Sequence, residues 1–159
     1  NLNIIGTANI TKVCNQNKIK LIYFSTNYVY PGTKGNYKET SPVLPVNNYA
    51  WSKLGGETSV KLYKNSLILR VSMTEKPFVH KAAFGDFFTN FIFHEDIAPK
   101  VFKILNLKGI INFGGKSQSV FKFAKKNNPK IKKISYKKIF GKSYPSNTSM
   151  DLKNFKKYK

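Results

Sequence analysis

Apolar and polar residues follow two different periods along this chain. Over 3–16, Ile4, Ile5, Ala8, Val13 and Cys14 fall at loosely helical spacing and predict an amphipathic helix. Leu21-Ile22-Tyr23-Phe24 is a short apolar run closed by Ser25-Thr26, the form of a buried strand. Pro31, Gly32, Gly35, Pro42 and Pro45 then break any regular element, so 27–47 reads as a long loop of the kind that serves function in a compact domain. A second helix is predicted from Asn48 to about Lys64, a strand over 66–71 and an irregular, Phe-rich region over 72–94. Asp96 is the expected N-cap of a helix over 97–106, because its carboxylate can accept from the free amides of a first turn. Gly109–Phe113 reads as a strand, and Gly114-Gly115 turns it into a helix from about Ser117 to Lys126. After Pro129 the chain is Lys-rich and weakly patterned, with a terminal helix expected from Asp151. Strands alternating with helices point to an α/β fold with a parallel sheet.

Composition narrows the class. With 159 residues and 41% hydrophobic content, one domain with a real core is affordable and wholesale disorder is excluded. No apolar run approaches the roughly 18 residues of a membrane span. Asn1-Leu2-Asn3-Ile4 has no basic region of the signal-peptide kind, and the single Cys14 excludes an internal disulfide or a cysteine-cluster metal site. A reducing, cytoplasmic setting is expected, with Cys14 in the core as a small apolar residue.

The net charge of +21 suggests a polyanionic partner, but two details weaken that suggestion. Arg70 is the single Arg among 28 basic residues, whereas specific phosphate and base recognition favours the guanidinium fork. The charge is also lopsided, with 17 of the basic residues and one acidic residue in 100–159. A basic nucleic-acid-binding module therefore ranks last among the readings, and the Lys runs at 125–126, 132–133, 137–138 and 156–157 read as a solvated face.

Candidate chemistry centres on Tyr49-Ala50-Trp51-Ser52-Lys53, a Tyr-x-x-x-Lys pair. Chance alone supplies about 1.5 such pairs in this composition, and a second, Tyr30/Lys34, is interrupted by Pro31-Gly32. Tyr49 and Lys53 instead begin a predicted helix, which sets them one turn apart on one face. A free phenol has a pKa of about 10, roughly 3 units or about 4 kcal/mol above neutrality. An ammonium one turn away favours the phenolate and brings the group nearer a working range for proton transfer to or from a carbonyl.

The wider context is more specific. Ser25-Thr26-Asn27-Tyr28-Val29-Tyr30-Pro31-Gly32, then Glu39 and Pro45, then Tyr49-x-x-x-Lys53-x-x-Gly56-Glu57, resembles the extended short-chain dehydrogenase/reductase superfamily, and within it the dTDP-4-dehydrorhamnose reductase-like branch of sugar-nucleotide reductases. Asn27 stands where that branch's Ser-Thr-Asp-Tyr-Val-Phe signature has Asp. Leu69-Arg70, Glu95-Asp96-Ile97-Ala98, Gly109-Ile110-Ile111-Asn112-Phe113-Gly114-Gly115 and Tyr144-Pro145-Ser146-Asn147-Thr148-Ser149-Met150-Asp151 are similar to later family segments, with Tyr144 in the place of an Arg.

The resemblance implies a partial Rossmann-type, NAD(P)-binding parallel sheet with a small C-terminal lobe on the substrate side. Residues 1–159 would be the C-terminal portion of one such domain, with 72–94 and 127–159 as substrate-side segments. The implied activity is reduction of a nucleotide-linked 4-keto sugar with NADP or NAD as cofactor. By the same resemblance Thr26, Tyr49 and Lys53 form the catalytic group, Ser25, Tyr49 and Lys53 meet the cofactor, and Thr26 and Asn27 meet the substrate; Met73 and Lys81 join the substrate pocket by position only. The implied partner is a nucleotide-sugar substrate, with a homodimer admissible and no membrane partner. The alternative reading is a non-catalytic family member that binds a nucleotide sugar or serves as a partner subunit. The sequence has no Gly-x-Gly-x-x-Gly turn to seat a cofactor pyrophosphate and no initiator Met, so it is expected to be part of a larger fold and inactive alone.

Other signals are weaker. Gly115-Lys116-Ser117 has Ile110 where a phosphate-binding loop needs a Gly separated from its Gly-Lys by four residues, and reads as a strand-to-helix turn. His80 and His94 have no partners at metal-ligand spacing. Phe84, Phe87, Phe88, Phe91 and Phe93 are expected to pack against the sheet or the substrate lobe rather than to stack nucleic-acid bases.

Overall fold

The computed structural model describes residues 2–158. The helix predicted over 3–16 starts with π-helical turns over Leu2–Gly6 and continues as α1 (Thr7–Gln16). The buried run forms β1 (Leu21–Thr26), and a 3₁₀ turn over Asn27–Val29 opens the long loop. Helix α2 (Asn48–Lys61) begins at Asn47, whose side chain accepts from the Ala50 amide at 2.8 Å and so satisfies one free donor of the first turn. It leads to β2 (Ser66–Val71), which pairs in parallel with β1, Leu21 opposite Ser66 through Thr26 opposite Val71.

The Phe-rich region is more ordered than its sequence suggests. It carries β3 (Met73–Thr74), β4 (Ala82–Phe84), β5 (Phe88–Thr89) and β6 (Ile92–Phe93), each too short to show a period. A 3₁₀ turn over His94–Asp96 runs through Ile97, itself helical, into α3 (Ala98–Phe102). Asp96 is therefore not the N-cap: it lies inside a continuous helical segment, and its side chain makes no capping bond. Strand β7 (Gly109–Phe113) joins β2 in parallel, which gives a three-stranded parallel sheet in the order β1-β2-β7.

The helix expected from Ser117 begins later. Gln118–Ser119 forms β8, antiparallel to β5, and Ser119 caps α4 (Val120–Lys125) by accepting from the Lys122 amide. Glycine is required at 115, where a Cβ would lie 2.3 Å from the Phe91 carbonyl oxygen; the segment serves close approach of two backbones. Beyond it, β9 (Lys132–Ile134) pairs in parallel with β4, α5 (Tyr136–Phe140) follows, and the terminal helix α6 spans Lys153–Lys156.

Central strand β2 is buried along its whole length, as expected for a strand covered on both faces. Its alternation divides the core. Leu67, Leu69 and Val71 pack with Ile97, Ile104 and Phe155 on one face, while Ile68 packs with Tyr23 and Val60 of α2 on the other. Full burial of each such aliphatic side chain contributes about 1.5–3 kcal/mol. Cys14 is buried, as its apolar reading implied. A separate cluster around Phe78, Ala83, Phe87, Val120 and Ile131 forms the core of a lobe beyond the sheet, with Phe84 and Phe91 packed on it; Phe88 remains 41% exposed.

Candidate active site

The site is assembled where β1 ends and α2 begins. Thr26 is buried at the last position of β1, and its Oγ1 accepts from the Tyr28 amide at 3.2 Å, which caps the 3₁₀ turn. Asn27 is also buried: its Nδ2 donates to Thr89 Oγ1 at 3.1 Å and to Thr148 Oγ1 at 2.8 Å, so its amide stitches the strand end to the lobe. Ser25 points the other way and donates to Glu57 Oε2 at 2.7 Å.

Tyr49 stands in the first turn of α2 with half of its surface exposed. Lys53, one turn on, holds its Nζ 4.2 Å from the Tyr23 ring centroid, and burial pulls its ammonium below the usual lysine range. The Tyr23 hydroxyl donates to the Lys53 carbonyl at 3.0 Å, and burial pushes that phenol up to about 12, so it stays a neutral donor. Gly56 permits this approach: a Cβ there would sit 2.5 Å from the Tyr23 hydroxyl and 2.4 Å from the Asn3 carbonyl oxygen.

Beneath Tyr49 and Lys53, at the next step of four residues, Glu57 faces the sheet. Arg70 of β2 donates from Nε to Glu57 Oε1 at 3.1 Å and from Nη2 to the same oxygen, while its Nη1 donates to the Tyr30 hydroxyl at 2.9 Å and to the Glu39 carbonyl at 3.3 Å. The Tyr30 hydroxyl donates in turn to Asn112 Oδ1 at 2.7 Å. Burial opposes the guanidinium charge, but Glu57 and Tyr30 more than compensate and hold it charged. The chain's single Arg thus occupies a buried hub whose several directional contacts a lysine ammonium cannot reproduce. The hub was not apparent from sequence; the Lys53-to-Glu57 spacing and the isolation of that Arg were the available signals.

A cavity of about 720 Å³ lies between this region and the lobe. Tyr28, Asn47 and Thr148 line its near side, and Phe84, Tyr136 and Phe140 its far wall. These rings meet edge to face or tilted, Phe84 to Tyr136 at 5.0 Å and Tyr136 to Phe140 at 4.6 Å between centroids. Eight of the 18 lining residues are Phe or Tyr, His80 is among the rest, and Lys, Arg, Asp and Glu are absent from the lining. Asp86 positions the far wall by accepting from the Ser135 hydroxyl and the Tyr136 amide, both at 2.6 Å.

Thr26, Tyr49 and Lys53 are thus carried by two packed neighbouring elements, β1 and α2. Met73 and Lys81 are not part of this arrangement. Met73 opens on a separate apolar cleft with Phe24, Ile97 and Val101, and Lys81 is exposed, its carbonyl accepting from the Lys132 amide. Lys53 Nζ has no hydrogen-bond or carboxylate partner among the described residues, and that free, half-buried ammonium beside an exposed phenol suits a polyhydroxylated group such as a ribose.

Comparison with known proteins places this geometry in context. Residues 1–92 match the family model of the RmlD substrate binding domain. The chain is 41% identical over 71 residues to a probable low-salt glycan biosynthesis reductase of Haloferax volcanii, covering 42% of this chain and 24% of that protein. It is 38% identical over 71 residues to the methionine adenosyltransferase 2 subunit beta of Xenopus laevis, covering 44% and 21%. In fold it superposes with a TM-score of 0.82 on a dTDP-4-dehydrorhamnose reductase of Bacillus anthracis solved in complex with NADP, at 23% identity, covering 97% of this chain and 64% of that one. The chain thus spans under two thirds of that structure, and the matched stretches make up about a quarter or less of the two relatives. The fold is that of Rossmann-type NAD(P)-binding enzymes.

Proposed function

The chain belongs to the RmlD substrate-binding domain family, and we propose that its site reduces the carbonyl of a nucleotide-linked 4-keto sugar. The observation that carries this reading is the join of β1 to α2. It sets Thr26 at a strand end and Tyr49 and Lys53 one turn apart on a helix anchored by Glu57 and Arg70, beside a cavity large enough for a nucleotide sugar. When bound, NADP or NAD supplies the hydride. Tyr49 gives its proton to the carbonyl oxygen, and the Lys53 ammonium favours the resulting phenolate and holds the cofactor ribose. Thr26 Oγ1 accepts from the Tyr28 amide, and its O–H, which makes only a long 3.5 Å donation to Asn27 Oδ1, can turn to donate to the same carbonyl.

The test uses the full-length natural protein with NADPH or NADH and a dTDP-linked 4-keto-6-deoxy sugar. Cofactor oxidation in proportion to sugar reduced is expected, and Tyr49→Phe is expected to lower kcat about 10²–10⁴-fold. Unchanged turnover in Tyr49→Phe would remove the assignment. A second reading, a partner subunit that binds a nucleotide sugar without reducing it, draws on the similarity to the Xenopus laevis subunit. Tight nucleotide-sugar binding without cofactor oxidation would select it. The 159-residue chain alone, which has no glycine-rich dinucleotide turn, is expected to show no turnover.

A further inference from the structure

The outer face of the lobe takes no part in the site described above. Residues 97–150 hold 13 lysines and no Asp or Glu, and three of those lysines form a row on the surface. Lys125 at the end of α4 and Lys133 of β9 hold their Nζ atoms 5.6 and 5.8 Å from the centroid of the Phe121 ring. The Lys133 stem runs over Gly85, where a Cβ would meet its Cε at 2.2 Å. Lys138 of α5 lines an open cleft with Lys133, and Ile139 stands in the same cleft, 58% exposed. All three lysines are exposed, and none has a carboxylate partner among the described residues. Asp86 borders the cleft, but its oxygens are taken by the Ser135 hydroxyl and by the Tyr136 and Lys137 amides.

A row of uncompensated ammonium groups with an apolar side chain among them fits a partner that is anionic outside and apolar within. We infer that this face adsorbs to an anionic lipid surface, with Lys125, Lys133 and Lys138 on headgroup phosphates and Ile139 in the boundary with the acyl chains. Nucleic acid fits the same face less well. Its phosphates suit lysine, but base recognition favours the guanidinium fork, and the chain's one Arg is buried at position 70. The Phe121 ring already has two ammonium groups beside it and Ile139 has no π face, so the row offers no stacking platform. The contact is peripheral, since among the described residues no helix is long and apolar enough to cross a membrane. The resemblance drawn from the sequence implied no membrane partner; this contact is a property of the lobe's own surface. Helix α5 separates the two roles: Tyr136 and Phe140 line the cavity, while Lys138 and Ile139 line the outer cleft. Adsorption therefore leaves the cavity lining untouched, and its test does not depend on turnover.

The experiment measures co-sedimentation of the full-length protein with vesicles of phosphatidylcholine, alone or mixed equally with phosphatidylglycerol, at rising salt. Binding to the mixed vesicles only is expected, weakening as salt screens it. Three variants locate it. Lys125→Gln, Lys133→Gln and Lys138→Gln combined are expected to weaken partition about 100-fold, each lysine contributing about fivefold. A control triple, Lys12→Gln, Lys61→Gln and Lys64→Gln, removes the same charge from exposed positions on α1 and at the end of α2, and a loss of no more than about threefold is expected. Ile139→Ser keeps the charge and is expected to weaken partition about fivefold. All three variants are expected to keep the wild-type unfolding midpoint. Equal losses from the two lysine triples would overturn the inference, because net charge rather than this face would then carry the binding. So would absence of binding to the mixed vesicles, or unchanged binding in Ile139→Ser. A single-stranded RNA oligonucleotide is the counter-probe: RNA binding lost in the lobe triple, without vesicle binding, would assign the face to nucleic acid and overturn the lipid reading. If the lobe triple does not fold, Ile139→Ser and the control triple still decide.

Discussion

The two walls of the cavity are held together by different physics. On the sheet side, the strand end and helix that carry Thr26, Tyr49 and Lys53 rest on a buried polar hub of Ser25, Tyr30, Glu57, Arg70 and Asn112. On the lobe side, Phe84, Phe87, Tyr136 and Phe140 pack ring to ring around uncharged space, and the lysines of 125–138 face outwards. Directional hydrogen bonds fix one geometry, as proton transfer requires, since small displacements of a reacting group cost rate. Ring packing tolerates small shifts and gives area and shape, as ligand binding requires. The contrast shows why a chain with 27 Lys keeps its one Arg where it does.

The sharpest way to break the contrast is to empty the hub. Arg70→Ala leaves the Glu57 carboxylate buried without its cationic partner and held by Ser25 alone, and urea unfolding is expected to show a loss of about 3–5 kcal/mol. A loss within about 0.5 kcal/mol would mean the hub does not anchor the helix. Next is the contact that lets α2 approach the sheet. Gly56→Ala pushes a methyl into Tyr23 and the Asn3 carbonyl, and a loss of about 1–3 kcal/mol is expected from thermal unfolding. On the lobe side, Phe140 is 44% exposed, so Phe140→Ala is expected to change stability by no more than about 1 kcal/mol while weakening nucleotide-sugar binding measurably in a titration.

The smallest effect belongs to Asp86. Burial raises its carboxyl, but hydrogen bonds from Ser135, Tyr136 and Lys137 outweigh that and hold it below the ordinary value of 3.8. Its stabilising contribution is therefore complete above that value and lost as pH falls through the depressed folded one. Tyr fluorescence near Tyr136 is expected to change below about pH 4, and Asp86→Asn is expected to blunt that change and cost about 1 kcal/mol or less at neutral pH.

The same division governs what could be read from the sequence. Tyr49 and Lys53 were legible because helical spacing is local, and the strands at 21–26, 66–71 and 109–113 because a buried parallel strand is a continuous apolar run. The pairing of Glu57 with Arg70 depends on how a helix packs on a strand, which no local period encodes. The lobe was less legible still: β4 pairs with β9 from about 50 residues away, and Asp86 caps a helix equally distant. Two- and three-residue strands carry no alternation to detect, and the N-cap expected at Asp96 failed because the 3₁₀ turn makes Asp96 part of a continuous helical segment and Pro99, three residues on, has no amide hydrogen to offer it.

The most direct test of this division of labour is kcat and KM for Arg70→Lys and Phe140→Ala, measured side by side on the full-length protein with a nucleotide-linked 4-keto sugar and NADPH. Arg70→Lys keeps the charge but loses the fork that sets the helix carrying Tyr49 and Lys53; under the proposed function kcat is expected to fall with KM little changed. Phe140→Ala is expected to raise KM with kcat little changed. The opposite assignment, with Arg70→Lys altering KM alone or Phe140→Ala lowering kcat alone, would contradict the account.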